Sequence, residues 1–141
     1  AHLRDEQDVN STAETPLIPM PARLARGIVI VHVLTLLAHM VAAVTFVGGI
    51  ASAYPVHQQV AWLVLGLGVL QALAVFNPAL PKVHVMYRLF AALVVIGEVL
   101  QLFVIPRGQL VYHVSVAMIV WGCTLALYVR LQDPHWGTTA G

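Results

Sequence analysis

The sequence predicts an all-α integral membrane protein, a four-helix bundle of up-down-up-down connectivity. Hydrophobic residues make up 60% of the 141 and charged residues only 9%. No Lys, Arg, Asp or Glu occurs between Gly27 and Pro81, a stretch that a water-soluble domain could not solvate. Short segments rich in Gly and Pro cut the apolar sequence into four runs, each near the ~20 residues that cross ~30 Å of hydrocarbon.

Residues 1–23 are polar and punctuated by proline. They read as a flexible cytoplasmic tail without the apolar region and small-residue cleavage site of a signal peptide. The first helix is expected over 24–47, ended by Gly48-Gly49. Tyr54-Pro55 then delays the second to 57–76, and Asn77-Pro78 and Pro81 separate it from the third at 83–104. Pro106-Arg107-Gly108 stops the third, and the fourth follows over 110–131, leaving 132–141 as a second cytoplasmic tail. Connections this short force neighbouring helices to be antiparallel.

Arg4, Arg23, Arg26, Lys82, Arg88 and Arg130 fall on or near the side holding both termini, and only Arg107 lies opposite. The positive-inside rule then puts both termini in the cytoplasm and the bundle in the cell membrane, the inner one where there are two. Tyr128 and Trp136 at that side, with Tyr54 and Tyr112 at the other, suit interfacial belts. The formal net charge of +1 comes with no basic stripe interleaved with aromatics, which excludes nucleic acid as a ligand. The lone Cys123 excludes an internal disulfide and a thiolate metal cluster.

Helical geometry sorts the few polar residues into stripes. Seven residues turn a helix to within ~20° of two full turns. His32 and His39 therefore share a face of the first helix, His57 and Gln71 one of the second, and His84 and Glu98 one of the third. Polar groups are least tolerable against lipid, so these stripes should point into the bundle. By position along the helices, Glu98 falls level with His39, and the two are expected to pair. That pair reads as a proton relay or a quinone contact. The alternative is a buried hydrogen bond from Glu98 to Gln71, Gln101 or Thr45 that only registers the helices, or a contact with another subunit. Gly66, Gly68, Gly97 and Gly122 allow close helix approach or room for a flat macrocycle.

His57 and His113 open their helices in matching contexts, each followed by Val at +3, Ala at +4, Val at +7 and Gly at +9. A weaker match joins Val31-His32-Val33-Leu34 to Val83-His84-Val85-Met86, so the chain reads as two similar hairpins. The second and fourth helices both start at the outer face and lie diagonally, which puts His57 and His113 at one height. A haem needs two axial ligands so placed. Arg107 on the adjoining loop is positioned for a propionate, since a guanidinium matches a carboxylate fork. His32 and His84 form an analogous inner pair that would hold a second haem. A histidine in the first turn of a membrane helix is also commonly an interfacial residue bonded to headgroups or loop carbonyls.

Four short-looped helices with His57 and His113 at the outer starts of the second and fourth resemble one half of the haem A synthase family and, more loosely, the transmembrane b-type cytochromes. The resemblance spans about 24–131 and implies ligation of haem b by His57 and His113. It does not extend to the synthase chemistry, because only one four-helix unit is present and the first outer loop, 48–56, has no acidic residue.

Two functions follow as expectations. One is a small b-type cytochrome passing electrons within the bilayer, with a quinone as a candidate partner. The other is a non-catalytic accessory subunit docked to partner membrane subunits of a respiratory, photosynthetic or transport complex, a variant of which would use one histidine to ligate a chlorophyll. Minimal loops favour the subunit, and the paired histidines favour the cytochrome. Whether the chain is an enzyme is left open by its residues.

Overall fold

A computed structural model describes residues 20–80, 83–105 and 109–133. It contains four helices: α1 (Met20–Val47), α2 (Ala53–Phe76), α3 (Val85–Val99) and α4 (Leu110–Gln132). A single π turn, Leu100–Val104, prolongs α3. Each of the four is long and apolar enough to cross a membrane, with mean hydropathies of 1.8 to 2.3. The protein is thus an all-α, multi-pass membrane bundle. Residues 106–108, including Arg107, lie outside the described residues, as do Arg4, Lys82, Trp136 and most of both expected tails.

Each helix buries only a narrow stripe. On α1 this is Ala22, Ala25, Val29, His32, Leu36 and Ala42, spaced by three or four residues up to Leu36 and then by six. The large apolar side chains on its other faces, such as Leu24, Val31, Leu34 and Val44, face outward. In water such a surface would drive aggregation, and in lipid it is the ordinary exterior of a bundle whose small residues pack inside.

The helices form a closed ring. α1 packs against α2 and α4, and α3 against α2 and α4, leaving α1 and α3 on one diagonal and α2 and α4 on the other. Two apolar clusters stack within. Ala22, Ala25, Val29, Val75, Leu80, Val83, Ala91, Leu127 and Leu131 fill the end where α1 begins and α4 finishes, called here the terminal end. Leu36, Val64, Val94, Val120 and Cys123 form the second, farther along toward the distal end. At the terminal rim Arg26 Nη2 donates to the Asp133 carbonyl at 3.0 Å, and Arg130 pairs with the Asp133 carboxylate at 2.6 Å.

Three helix starts differ from expectation. α1 begins at Met20 rather than 24 and α2 at Ala53 rather than 57, because Pro21 and Pro55 sit in first turns. Proline is tolerated there, since the N–H it lacks would have no intrahelical partner. α3 begins later than expected, at Val85, with His84 as its cap. The α1–α2 turn needs Gly49, whose φ of 100° is the left-handed region. At the distal end of α3, Ile105 precedes Pro106 and is extended, at φ −75° and ψ 117°, as residues before proline tend to be. Its N–H bonds to the Leu100 carbonyl at 2.8 Å, which closes the wide turn.

Candidate functional site

Two polar layers interrupt the apolar interior, one on each diagonal. The mid-bundle layer centres on His32, which has no exposed surface. Its Nδ1 lies 3.0 Å from Oε1 of Gln71 on α2, and its Nε2 lies 2.9 Å from Oε1 of Glu98 on α3. Gln71 is fully buried and Glu98 is 5% exposed. Side chains on a helix lean toward its N-terminus, which lets Glu98 reach back toward the terminal end and across the diagonal to His32.

Gly68 makes room for this carboxylate. A Cβ built there would stand 2.7 Å from Glu98 Cδ and 2.9 Å from Oε1, so any other residue would have to displace the carboxylate. Gly97, next to Glu98, similarly lets α3 approach Val116 and Val120 of α4. At Gly66 and Gly122, by contrast, a Cβ would find nothing within 4 Å, so these two serve no close approach among the described residues.

The distal layer is built from rings. His39 of α1 stacks on His57 of α2, with centroids 4.1 Å apart and planes at 17°. His57 in turn faces His113 of α4 across the other diagonal, at 6.2 Å between centroids and 59° between planes. All three are half-buried. Nδ1 of His39 and Nδ1 of His57 are buried without a hydrogen-bond partner among the described residues.

The stacked geometry limits the metal chemistry of this layer. Among the described residues no group of three or more His, Cys, Asp and Glu side chains is arranged to hold an ion. Two imidazoles on opposite sides of one metal, each bonded at about 2.0–2.1 Å, have ring centroids roughly 6 Å apart. The His57–His113 separation suits that arrangement. A haem brings its own equatorial nitrogens and asks the protein only for axial ligands, a demand with which the spacing of the two rings is compatible.

The expected inner pair does not form. His84 is exposed and caps α3, its Nδ1 accepting from the Met86 N–H at 3.2 Å, while His32 is engaged by Gln71 and Glu98. In this structure His32 and His84 thus have separate partners. The expected Glu98–His39 pair also fails, because Glu98 meets His32 and His39 meets His57. Thr45, another expected partner of Glu98, donates instead to the Val41 carbonyl of its own helix at 2.7 Å. The inward direction of His32, Gln71 and Glu98 is as the helical spacing predicts, and so is the diagonal meeting of His57 with His113. The role of Gly68 as the seat of Glu98 leaves only a faint trace in the sequence, a glycine three residues before Gln71 on the same face.

Compared with protein-family models, with curated proteins and with solved structures, the chain matches none.

Proposed function

We propose that this protein is a small b-type cytochrome that passes electrons within the bilayer, with His57 and His113 as axial ligands of one haem. The observation that carries the reading is the 6.2 Å separation of two half-buried imidazoles on diagonal helices, level with each other near one end of the bundle. His57 stands four residues into α2 and His113 three into α4, so each is held by a first turn of helix. Stacking by His39 fixes the orientation of the His57 ring. Arg107, which lies between α3 and α4 in the sequence, is the candidate partner for a propionate. Bound at this site, haem b would supply a one-electron couple. The apolar exterior would keep that couple in contact with lipid-soluble partners, of which a quinone is the chemical type.

The arginines of the described terminal end, Arg23, Arg26, Arg88 and Arg130, favour a cytoplasmic orientation for that end. The haem would then lie near the outer face.

A reduced-minus-oxidised spectrum of the purified, haem-supplied protein tests the proposal. A b-type α band is expected, lost in His57→Ala and in His113→Ala and kept in His84→Ala. Absence of the band under full haem supply overturns it.

A second reading has its own observation. The His32–Gln71–Glu98 layer joins three helices without needing any cofactor, which is what an accessory subunit needs to hold its shape in a larger complex. Co-purification in mild detergent separates the two, since an obligate subunit would not leave the membrane alone and monodisperse.

A further inference from the structure

The mid-bundle layer holds a proton count that helix packing alone does not demand. Gln71 Oε1 can only accept, so its contact puts a proton on Nδ1 of His32. Nε2 and the Glu98 carboxyl group then share one further proton. That proton sits on the imidazole, giving an ion pair, or on the carboxyl, giving two neutral groups. Both arrangements have zero net charge. Removing the shared proton leaves a bare carboxylate, and adding another leaves an unbalanced imidazolium, in a layer bordered by apolar clusters. The pair therefore changes its charge by one unit per proton in a setting where charge is felt.

The surroundings narrow what it can respond to. α1 presents His32 itself, and α2 presents the Gln71 amide and the backbone at Gly68. On α4 the groups that meet α3 at Gly97, next to Glu98 in the chain, are the methyls of Val116 and Val120, and the buried stripe of α4 also carries the Cys123 thiol and the Thr124 hydroxyl. The nearest titratable groups along the same face of α1 are His39 and, through it, His57 and His113, one heptad or ~10.5 Å of helix rise away. Leu36 on α1 and Val64 on α2, both buried, occupy the level between. No chain of hydrogen bonds among the described side chains joins the layers, so they sense one another as charges across an apolar medium, which screens far less than water.

We propose that Glu98 and His32 form a proton-binding site coupled to the charge at the distal histidines. When a one-electron donor, dithionite in a test or a quinol in a membrane, delivers an electron to a metal centre held by His57 and His113, the pair binds one proton from water. The electron adds one negative charge to the bundle and the proton one positive charge, so the interior stays balanced. Glu98 Oε2, buried and without a hydrogen-bond partner among the described residues, is the atom that receives the proton. The inference rests on the haem reading of the distal layer.

The test uses the full chain, haem-loaded, in lipid nanodiscs. Potentiometric titration at several pH values should show a midpoint potential that falls as pH rises, and Glu98→Gln should lose that slope while keeping the α band. Redox-difference infrared spectra should show a carboxylic acid carbonyl band that appears or shifts on reduction and is missing in Glu98→Gln. His32→Gln, which keeps a hydrogen-bonding side chain but cannot titrate, should also lose the slope, and it serves if Glu98→Gln fails to fold. A normal α band with the same slope in both variants overturns the proton site and leaves the haem reading standing. Absence of the α band overturns the haem reading and the coupling with it, whereas a reduction-induced carboxyl band in the haem-loaded protein that survives Glu98→Gln overturns the assignment of the proton to this pair.

Discussion

In the middle of the bundle His32 has both ring nitrogens in polar contact and none of its surface exposed. At the distal end His39, His57 and His113 mostly touch one another, remain half-buried, and leave ring nitrogens without partners among the described residues. The same side chain thus serves two ends. Where its polar atoms are matched by other side chains, the gain is a fixed relation between helices, because breaking the match leaves a buried group uncompensated. Where the rings meet other rings instead, the nitrogens of His57 and His113 are the ones the proposed haem would use. Each layer spans a different diagonal, so each can be disturbed with the other as the internal control.

The largest effect should come from the mid-bundle layer. Glu98→Ala strands His32 and opens space beside Gly68, and unfolding in mixed micelles should show a loss of about 3 kcal/mol. The double-mutant cycle with His32→Ala should return a coupling above ~1 kcal/mol, near the upper end known for polar contacts between membrane helices. A coupling near zero would mean that the two side chains do not act together. Gly68→Ala should follow, since the new methyl collides with the carboxylate and displaces it from His32. A cost of about 1–3 kcal/mol is expected, against no more than about 0.5 kcal/mol for Gly66→Ala, two residues away and facing open space. Equal costs would break the distinction between the two glycines.

The distal layer should behave in the opposite sense. His113→Ala should abolish the haem band while shifting stability by less than about 1 kcal/mol, and a large loss of stability in the haem-free protein would show that this layer too is a structural lock. The smallest effect belongs to His84→Ala. Loss of its cap contact at an exposed helix start should cost at most about 1 kcal/mol and leave both layers intact by spectrum and by the His32–Glu98 coupling.

Most of the architecture is legible in the chain, because long apolar runs broken by Gly and Pro leave a membrane few alternatives. The inward faces of His32, Gln71 and Glu98 follow from spacing alone. Their partners do not. Glu98 is fifteen residues from an expected helix start at 83, and His39 is fifteen from an expected start at 24, which sets the two at one level. Counted from the observed starts, Glu98 is thirteen residues beyond Val85 and His32 is twelve beyond Met20. A proline at 21 has the look of a break but sits inside the first turn, and that displaces the level of α1 by about one turn. Pro55 shifts the start of α2 in the same way. The pairing of His57 with His113 escapes the error because both are counted from the distal side, where each lies in a first turn. The stacking of His39 on His57 depends on how closely α1 and α2 approach, which helix periodicity does not encode.

The wide turn at Leu100–Val104 marks where α3 carries one residue more than a regular helix would use over the same length. Such an extra residue resets the phase of everything on one side of it by about 100° relative to the other. Phe103, whose ring meets Trp62 edge-on at 5.7 Å, therefore answers to one angular setting and Glu98 to another. Deleting a single residue within the turn would restore a regular helix and force a choice: either Phe103 leaves Trp62, or the carboxylate swings away from the imidazole across the bundle.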